Sequence, residues 1–244
     1  VTAEALAQGY RVSALSRSAS RAAKLPHDVH KVIGDLSQAE TLTDALHDVD
    51  AVIFTHGSDG MGKAGSQSVD YGGVRNVLFA LRNKPVRVVL MTAIGVTNRD
   101  GSYNRRTEAH DWKRRAERLV RASGHPYTIV RPGWFVYNAA DEQQLQFLQG
   151  DRRQSGTPAD GGIARRQLAQ VLVASVSCDD AVGKTFELIA TRGPAPQTFA
   201  PLFAALTPDA ADNNDGVFDT ASMPLQNEPA QMLSALGQVA ASRS

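Results

Sequence analysis

The stretch VTAEALAQGYRVSALSRS (Val1–Ser18) sets the reading of the chain. An amphipathic helical segment, VTAEALAQ, runs into a Gly9–Tyr10 break. A short apolar strand, RVSAL (Arg11–Leu15), follows, and the chain turns at a basic tip, Ser16–Arg17–Ser18. Helix, glycine stop and strand in that order form the back half of a strand–helix–strand unit.

Downstream the same grammar repeats. Short Val- and Ile-rich runs recur as HKVIG (His30–Gly34), DAVIFT (Asp50–Thr55), VRVVLMT (Val86–Thr92), YTIVR (Tyr127–Arg131) and Thr185–Ile189. They lack strict polar alternation, which is how strands buried on both faces read. Helical spacing fills the intervals at Ala19–Leu25, Gln38–Asp48, Ser66–Arg82, Arg106–Ser123 and Arg165–Ser177, and again near Phe199–Leu206 and at Ala230–Ala241. This alternation predicts an α/β fold, a Rossmann-like, doubly wound parallel sheet covered by helices on both faces. The domain is expected over residues 1–190, with a substrate pocket built from its C-terminal part. Residues 191–244, rich in Pro, Ala, Asp and Asn through Gly193–Pro229, read as an extension that packs on the domain or straps it.

Composition narrows the function classes. The 244 residues carry 26 Lys and Arg against 25 Asp and Glu, a formal net charge of +1. No charge excess calls for nucleic acid or an anionic membrane, and no apolar run approaches the ~20 residues of a membrane span. The lone Cys178 has no internal disulfide partner, which points to a reducing, cytoplasmic setting. The histidines show no metal-ligand spacing, so no metal is expected. A monomer or homodimer acting on a small molecule fits these limits.

Several residues sit where such a fold binds ligands, outside the carboxyl ends of its strands. Ser16, Arg17, Ser18 and Arg21 occupy the tip where an acid would accept from the 2′-hydroxyl of NAD. Two arginines suit the 2′-phosphate of NADP instead, through charge-assisted bonds. Asp35 and Leu36 end the next strand; there an Asp accepts from an adenine amino group and a Leu packs on the ring. Asp35 or Ser37 also suits a helix cap, and the two roles can coexist. Thr55, His56 and Gly57 leave the DAVIFT strand and are expected to contact cofactor, whereas 59–65 reads as a flexible surface loop. Gly72 and Gly73 in the following helix cost roughly 1 kcal/mol each against Ala, so a close approach should offset them.

The run MTAIGVTNRDGSYNRRTEAHDWKRRAERLVRASGHPYTIVRPGWF (91–135) brings these pieces together. A strand, then TAIGV, a helix with Lys113 and Glu117 spaced K-x-x-x-E, and YTIVRPGWF resemble the short-chain dehydrogenase/reductase superfamily. The match is to its atypical NAD(P)H-binding branch, the NmrA-like and biliverdin-reductase-B-like proteins. VDYGGVRN, GDLSQAETLTDAL and WKRRAE are similar to that branch too, and the resemblance covers about Val1 to Ile189. It implies a cofactor lying across the carboxyl edge of the sheet, with its diphosphate on a glycine-rich loop between the first strand and first helix. Val1 falls just past that loop. The sequence therefore predicts about 10–18 further N-terminal residues in the natural protein.

The resemblance also implies roles. Lys113 aligns with the family's ribose-holding, pKa-lowering lysine. The Tyr of Tyr-x-x-x-Lys is replaced by Ala109, which cannot transfer a proton. Thr92 or Ala93 aligns with the Ser/Thr, so a hydroxyl survives if Thr92 is the match. His110, on the Lys113 face, Tyr103 and Tyr137 are candidate substitutes, with surface or packing roles as the competing reading. Pro132, Gly133 and Trp134 bring backbone to the nicotinamide end. Trp134 and Phe135, with Tyr103, would wall the substrate pocket, or else Trp134 and Phe135 pack in the core. The expected activity is an NADP(H)-dependent oxidoreductase, NADPH preferred over NADH, reducing a small conjugated acceptor such as a flavin or quinone. A non-catalytic NADP(H)-binding redox sensor is the alternative, and a sugar-type epimerase ranks last because it needs an acid/base Tyr or equivalent.

Overall fold

The computed structural model describes residues 1–58, 60–81, 84–211 and 213–241. The chain opens with α1 (Thr2–Ala7), β1 (Ser13–Ser16), α2 (Ala19–Ala22), β2 (His30–Ile33) and β3 (Ala51–Phe54). A continuous helical run follows: α3 (Gly62–Gly65), a π-helical turn (Ser66–Tyr71) and α4 (Gly72–Leu81). Then come β4 (Arg87–Met91), α5 (Ser102–Thr107), α6 (Ala109–Ala122), β5 (Tyr127–Pro132), β6 (Trp134–Phe135), β7 (Gln144–Leu148), β8 (Gly162–Ile163), α7 (Arg165–Ser177), β9 (Lys184–Thr191), α8 (Ala200–Ala204) and α9 (Ala230–Ala241).

The main sheet runs β3-β4-β5-β9-β8-β6, with β7 antiparallel on β9. Its first four strands are parallel, as the unbroken apolar runs require. Strand residues alternate between two cores. Val88, Leu90 and Ile129 face α4, α6 and α9, packing with Val77, Leu81, Leu119 and Met232. Val89, Val130 and Phe186 face α7 and α8, packing with Val171, Leu172 and Phe203. The chain is an α/β, Rossmann-like fold.

β1 and β2 form a separate two-stranded parallel ribbon. Among the described residues no ladder joins β1 to β3.

Four sequence expectations are corrected. Gln38–Asp48 holds two 3₁₀ turns, Ala39–Thr41 and Asp44–Leu46, in place of one α-helix. The Thr41 hydroxyl bonds the Gln38 and Asp35 carbonyls and accepts from the Asp35 amide at 2.9 Å, a local alternative to helical bonding. Arg106–Ser123 is interrupted at Glu108, whose φ of 54° is left-handed, so α5 and α6 are distinct helices. Within the expected loop 59–65, residues 62–65 are helical; Asp59, and Arg82 at the end of the expected Ser66–Arg82 helix, lie outside the described residues. Finally β6, β7 and β8 are strands the sequence reading does not contain.

Helix α6 is charged yet buried almost throughout. Chain segment 207–228 supplies its counter-ions. Asp215 accepts from Arg114 at 3.0 Å and from Arg118 at 2.9 and 2.8 Å. Glu228 pairs with Arg115 at 2.7 Å, and Asp209 with Arg121 at 3.1 Å. Arg114, Arg115, Glu117 and Arg118 are each under 10% exposed, so this helix presents no solvated charged face at those positions.

Candidate functional site

Phe54, Leu90 and Ile129 stand in register across β3, β4 and β5, so the strands end on one edge. That edge gathers Thr55–Ser58, Thr92–Thr97, Pro132–Phe135, the π-helical turn and the first turns of α6.

At its centre lies Asp70, 3% exposed. Its carboxylate accepts from Lys113 Nζ at 2.6 Å, from the Ser58 hydroxyl at 2.5 Å and from the Ser58 amide at 3.2 Å. A charge this deep persists because a cation and two donors meet it. The Ser66 hydroxyl lies 3.5 Å from that of Ser58. Beside them, burial pushes His56 down to about 4, against the pull of Asp70 and with the push of Lys113. Its Nδ1 has no hydrogen-bond partner. His110 is likewise lowered by burial, opposed by the Asn98 backbone and Asp151, and its Nδ1 is also unpartnered. Its ring sits 5.3 Å from that of Tyr103. Both imidazoles are neutral at pH 7, each with one buried ring nitrogen that has no partner among the described residues.

Thr92 turns away from this cluster. Its hydroxyl donates to Glu117 at 2.7 Å. Glu117 is fully buried and also accepts from Arg131 at 3.0 and 2.7 Å. Arg131 in turn reaches Asp219 at 2.7 Å and Glu187 at 3.3 Å. Thr92 thus ties the sheet edge to the ion network beneath α6. Ala109 is buried at the first position of α6, four residues before Lys113, with no acid or base of its own.

The two-stranded ribbon carries the basic tip. Ser18 caps α2 by accepting from the Arg21 amide at 3.3 Å, and Ser16 donates to the Ser18 carbonyl at 3.1 Å. Arg17 and Arg21 are exposed, and among the described residues neither forms an ion pair. Asp35 accepts from the Ser37 amide at 2.9 Å and the Ser37 hydroxyl at 2.8 Å, which with nearby Arg17 holds it below the usual carboxylate range. It caps a turn rather than an α-helix. Leu36 packs on α4 where a Cβ on Gly73 would meet its own Cβ at 2.9 Å, the close approach that offsets a helical glycine.

At the other end, the Gly133 amide donates to the Leu188 carbonyl at 2.9 Å, and the Trp134 amide to Gly161 at 2.9 Å. A Cβ on Gly133 would lie 2.5 Å from the Gly161 carbonyl oxygen, so only glycine fits. Trp134 and Phe135 are 43% and 44% exposed, which rules out core packing. The Arg165 guanidinium stacks 4.8 Å over the Phe135 ring. Tyr103 is 47% exposed and Tyr137 97%. Among the described residues no group of three or more His, Cys, Asp and Glu side chains is placed to hold a metal ion.

A dinucleotide fits the residues present at both ends: exposed guanidiniums on the ribbon, and an amine and exposed rings at the far end. Sequence reasoning missed Asp70 and Ser58. Asp70 lies in the quoted VDYGG, but its contact with Lys113 spans 43 positions and no local pattern announces it.

A family model described as NAD(P)H-binding matches residues 1–179. Among curated relatives, "UPF0659 protein YMR090W" of Saccharomyces cerevisiae is 33% identical over 152 residues, covering 61% of this chain and 66% of the relative. The chain thus spans just under two thirds of that protein's length. Sanguinarine reductase of Eschscholzia californica is 25% identical over 240 residues, covering 81% and 87%. Among solved structures, the oxidoreductase ylbE of Lactococcus lactis superposes with a TM-score of 0.65 at 19% identity, covering 84% of this chain and 89% of that one. No helix among the described residues is long and apolar enough to cross a membrane.

Proposed function

This chain belongs to the NAD(P)H-binding family, and on that premise we propose that it is an NADP(H)-dependent oxidoreductase that reduces a small conjugated acceptor such as a flavin or quinone. The observation that carries the reading is Ala109, 2% exposed in the place where a proton-transferring Tyr would stand. A conjugated acceptor takes hydride and is protonated from solvent, so it needs no such Tyr. The resemblance to a sanguinarine reductase supports the reductase class.

NADPH, when bound, supplies the hydride. Arg17 and Arg21 hold the 2′-phosphate, and Leu36 packs on the adenine. Lys113 holds the nicotinamide ribose, oriented by Asp70. The neutral His56 and the Thr55–Gly57 backbone meet the cofactor along the sheet edge. The Pro132–Gly133 turn sets the nicotinamide end, and Trp134, Phe135 and Tyr103 form an apolar wall for a flat acceptor.

The test is NADPH oxidation by the full chain with FMN or a benzoquinone as acceptor. Turnover above the uncatalysed rate is expected, falling by about tenfold or more in Lys113→Met. The Arg17→Ala/Arg21→Ala variant should lose on the order of 100-fold in NADPH affinity, because each charge-assisted bond contributes roughly 1.5–3 kcal/mol. NADH affinity should stay unchanged; equal loss for both cofactors refutes the 2′-phosphate assignment. One observation favours a second reading. The Lys113 amine is engaged by Asp70 and the Thr92 hydroxyl by Glu117, as suits a redox sensor that binds without turning over. Tight NADPH binding with no oxidation in any acceptor assay selects that reading.

A further inference from the structure

The π-helical turn has a second side. While Asp70 points to Lys113, Gln67, Ser68 and Tyr71 border a cavity of about 250 Å³, closed by Ser37, Arg75 and Gln231 among others. π-Helical turns widen the spacing along a helix and recur at ligand sites.

Two observations inside the cavity point to a ligand. Tyr71 is 4% exposed, yet its hydroxyl has no hydrogen-bond partner. Among the described residues Arg75 Nε is buried with no partner, and the side chain bonds Asn76 Oδ1 at 3.2 Å. No carboxylate lines the cavity. Glu228 pairs with Arg115 at 2.7 Å, and among the described residues Arg75 forms no ion pair. Burial pushes the Tyr71 phenol up to about 12, despite Arg75 and Arg115, so its hydroxyl stays protonated with a proton to donate. A buried unpaired donor is costly, and here two belong to residues that line one cavity.

We propose that this cavity binds a compact oxyanion, a phosphate or carboxylate group on a small molecule, held by the Arg75 guanidinium and the Tyr71 hydroxyl with Ser68, Gln67 and Gln231 at the rim. Its volume is below the roughly 300 Å³ at which ligand pockets begin, so it takes a small anion and not a dinucleotide. It is separate from the basic tip at Arg17 and Arg21. Asn76, which Arg75 touches, also donates to the Leu36 carbonyl at 2.9 Å. An anion here therefore adjoins the segment assigned to adenine without occupying it.

The experiment is thermal unfolding and titration calorimetry of the full chain with inorganic phosphate and with citrate, against sodium chloride at equal ionic strength. Saturable binding of either anion is expected, with an unfolding midpoint that rises beyond the chloride control. A response to phosphate alone assigns a phosphate ligand, and to citrate alone a carboxylate one. The response should persist in Arg17→Ala/Arg21→Ala and with NADPH saturating. It should weaken several-fold in Tyr71→Phe and vanish in Arg75→Gln. Ser68→Asp, on an exposed turn, provides a second variant that repels anions should Arg75→Gln fail to fold. The proposal is overturned if wild type shows no response beyond chloride at tens of millimolar. It also falls if the response survives Ser68→Asp, or is lost in the Arg17/Arg21 variant.

Discussion

Glu117 and Glu187 both touch the Arg131 guanidinium, yet they titrate in opposite directions. Burial pushes both up. For Glu117 it is outweighed by two bonds from Arg131, one from Arg121 and one from Thr92, and the carboxyl falls to about 2. Glu187 receives only a long contact from Arg131 and the Asp151 amide at 3.1 Å, and it faces the Asp151 and Asp219 carboxylates, so it rises to about 8. Against an ordinary glutamate value of 4.5, the Glu117 contribution is present above that pH and is lost as pH falls towards about 2. For Glu187 the folded state holds its proton more tightly than the unfolded state. Its contribution is full below 4.5 and is lost as pH rises through about 8. Glu187→Gln should therefore flatten the decline in unfolding midpoint between those limits and raise the midpoint above wild type near pH 9. An unchanged pH profile would contradict the assignment. At Asp70, replacement by Asn leaves Lys113 without its counter-ion and should cost on the order of 3 kcal/mol in urea unfolding. At this scale a motif singles out Lys113 and Gly133, which the structure sets against Asp70 and Gly161. The sequence was illegible where a contact joins distant positions, as at Asp70 with Ser58 and Lys113.

Among the elements, α6 was the hardest to read. Its spacing announced a helix, but a sequence with four Arg, a Lys and one Glu looks solvated until the segment that neutralises it is in place. Asp215 binds both Arg114 and Arg118, each with a side chain 1% exposed. Asp215→Ala strips both of a shared carboxylate and should destabilise the protein by about 3–5 kcal/mol. Limited proteolysis should then cut first within 207–228, and protection equal to wild type would show that the ion pairs are not what holds this segment. Strands β3, β4 and β5 and helices α7 and α9 were legible because apolar periodicity decides them. The Gln38–Asp48 segment was not, because the Thr41 hydroxyl competes for backbone partners. β6 and β8 have only two residues each, too short for any period to register.

Across the whole molecule, alternation of strand and helix was enough to foresee the fold, and the two-sided burial of β4, β5 and β9 follows from it. The ribbon and the main sheet are unequal units, and the difference has a consequence for how the protein moves. β1 and β2 have four residues each, with Val32 the one buried among them, so the ribbon should open before the main sheet on the path to exchange with solvent. The amides of His30 and Gly34, bonded to Val12 and Ser16 in the ribbon, should take up deuterium well before those of Val88 and Thr92, bonded to Pro126 and Val130 in the main sheet. A dinucleotide gripped by Arg17 at one end and Lys113 at the other would act as a tie-rod between the units. Saturating NADPH should then slow exchange in the ribbon more than in the main sheet, so cofactor occupancy would be recorded in the breathing of a part far from the chemistry.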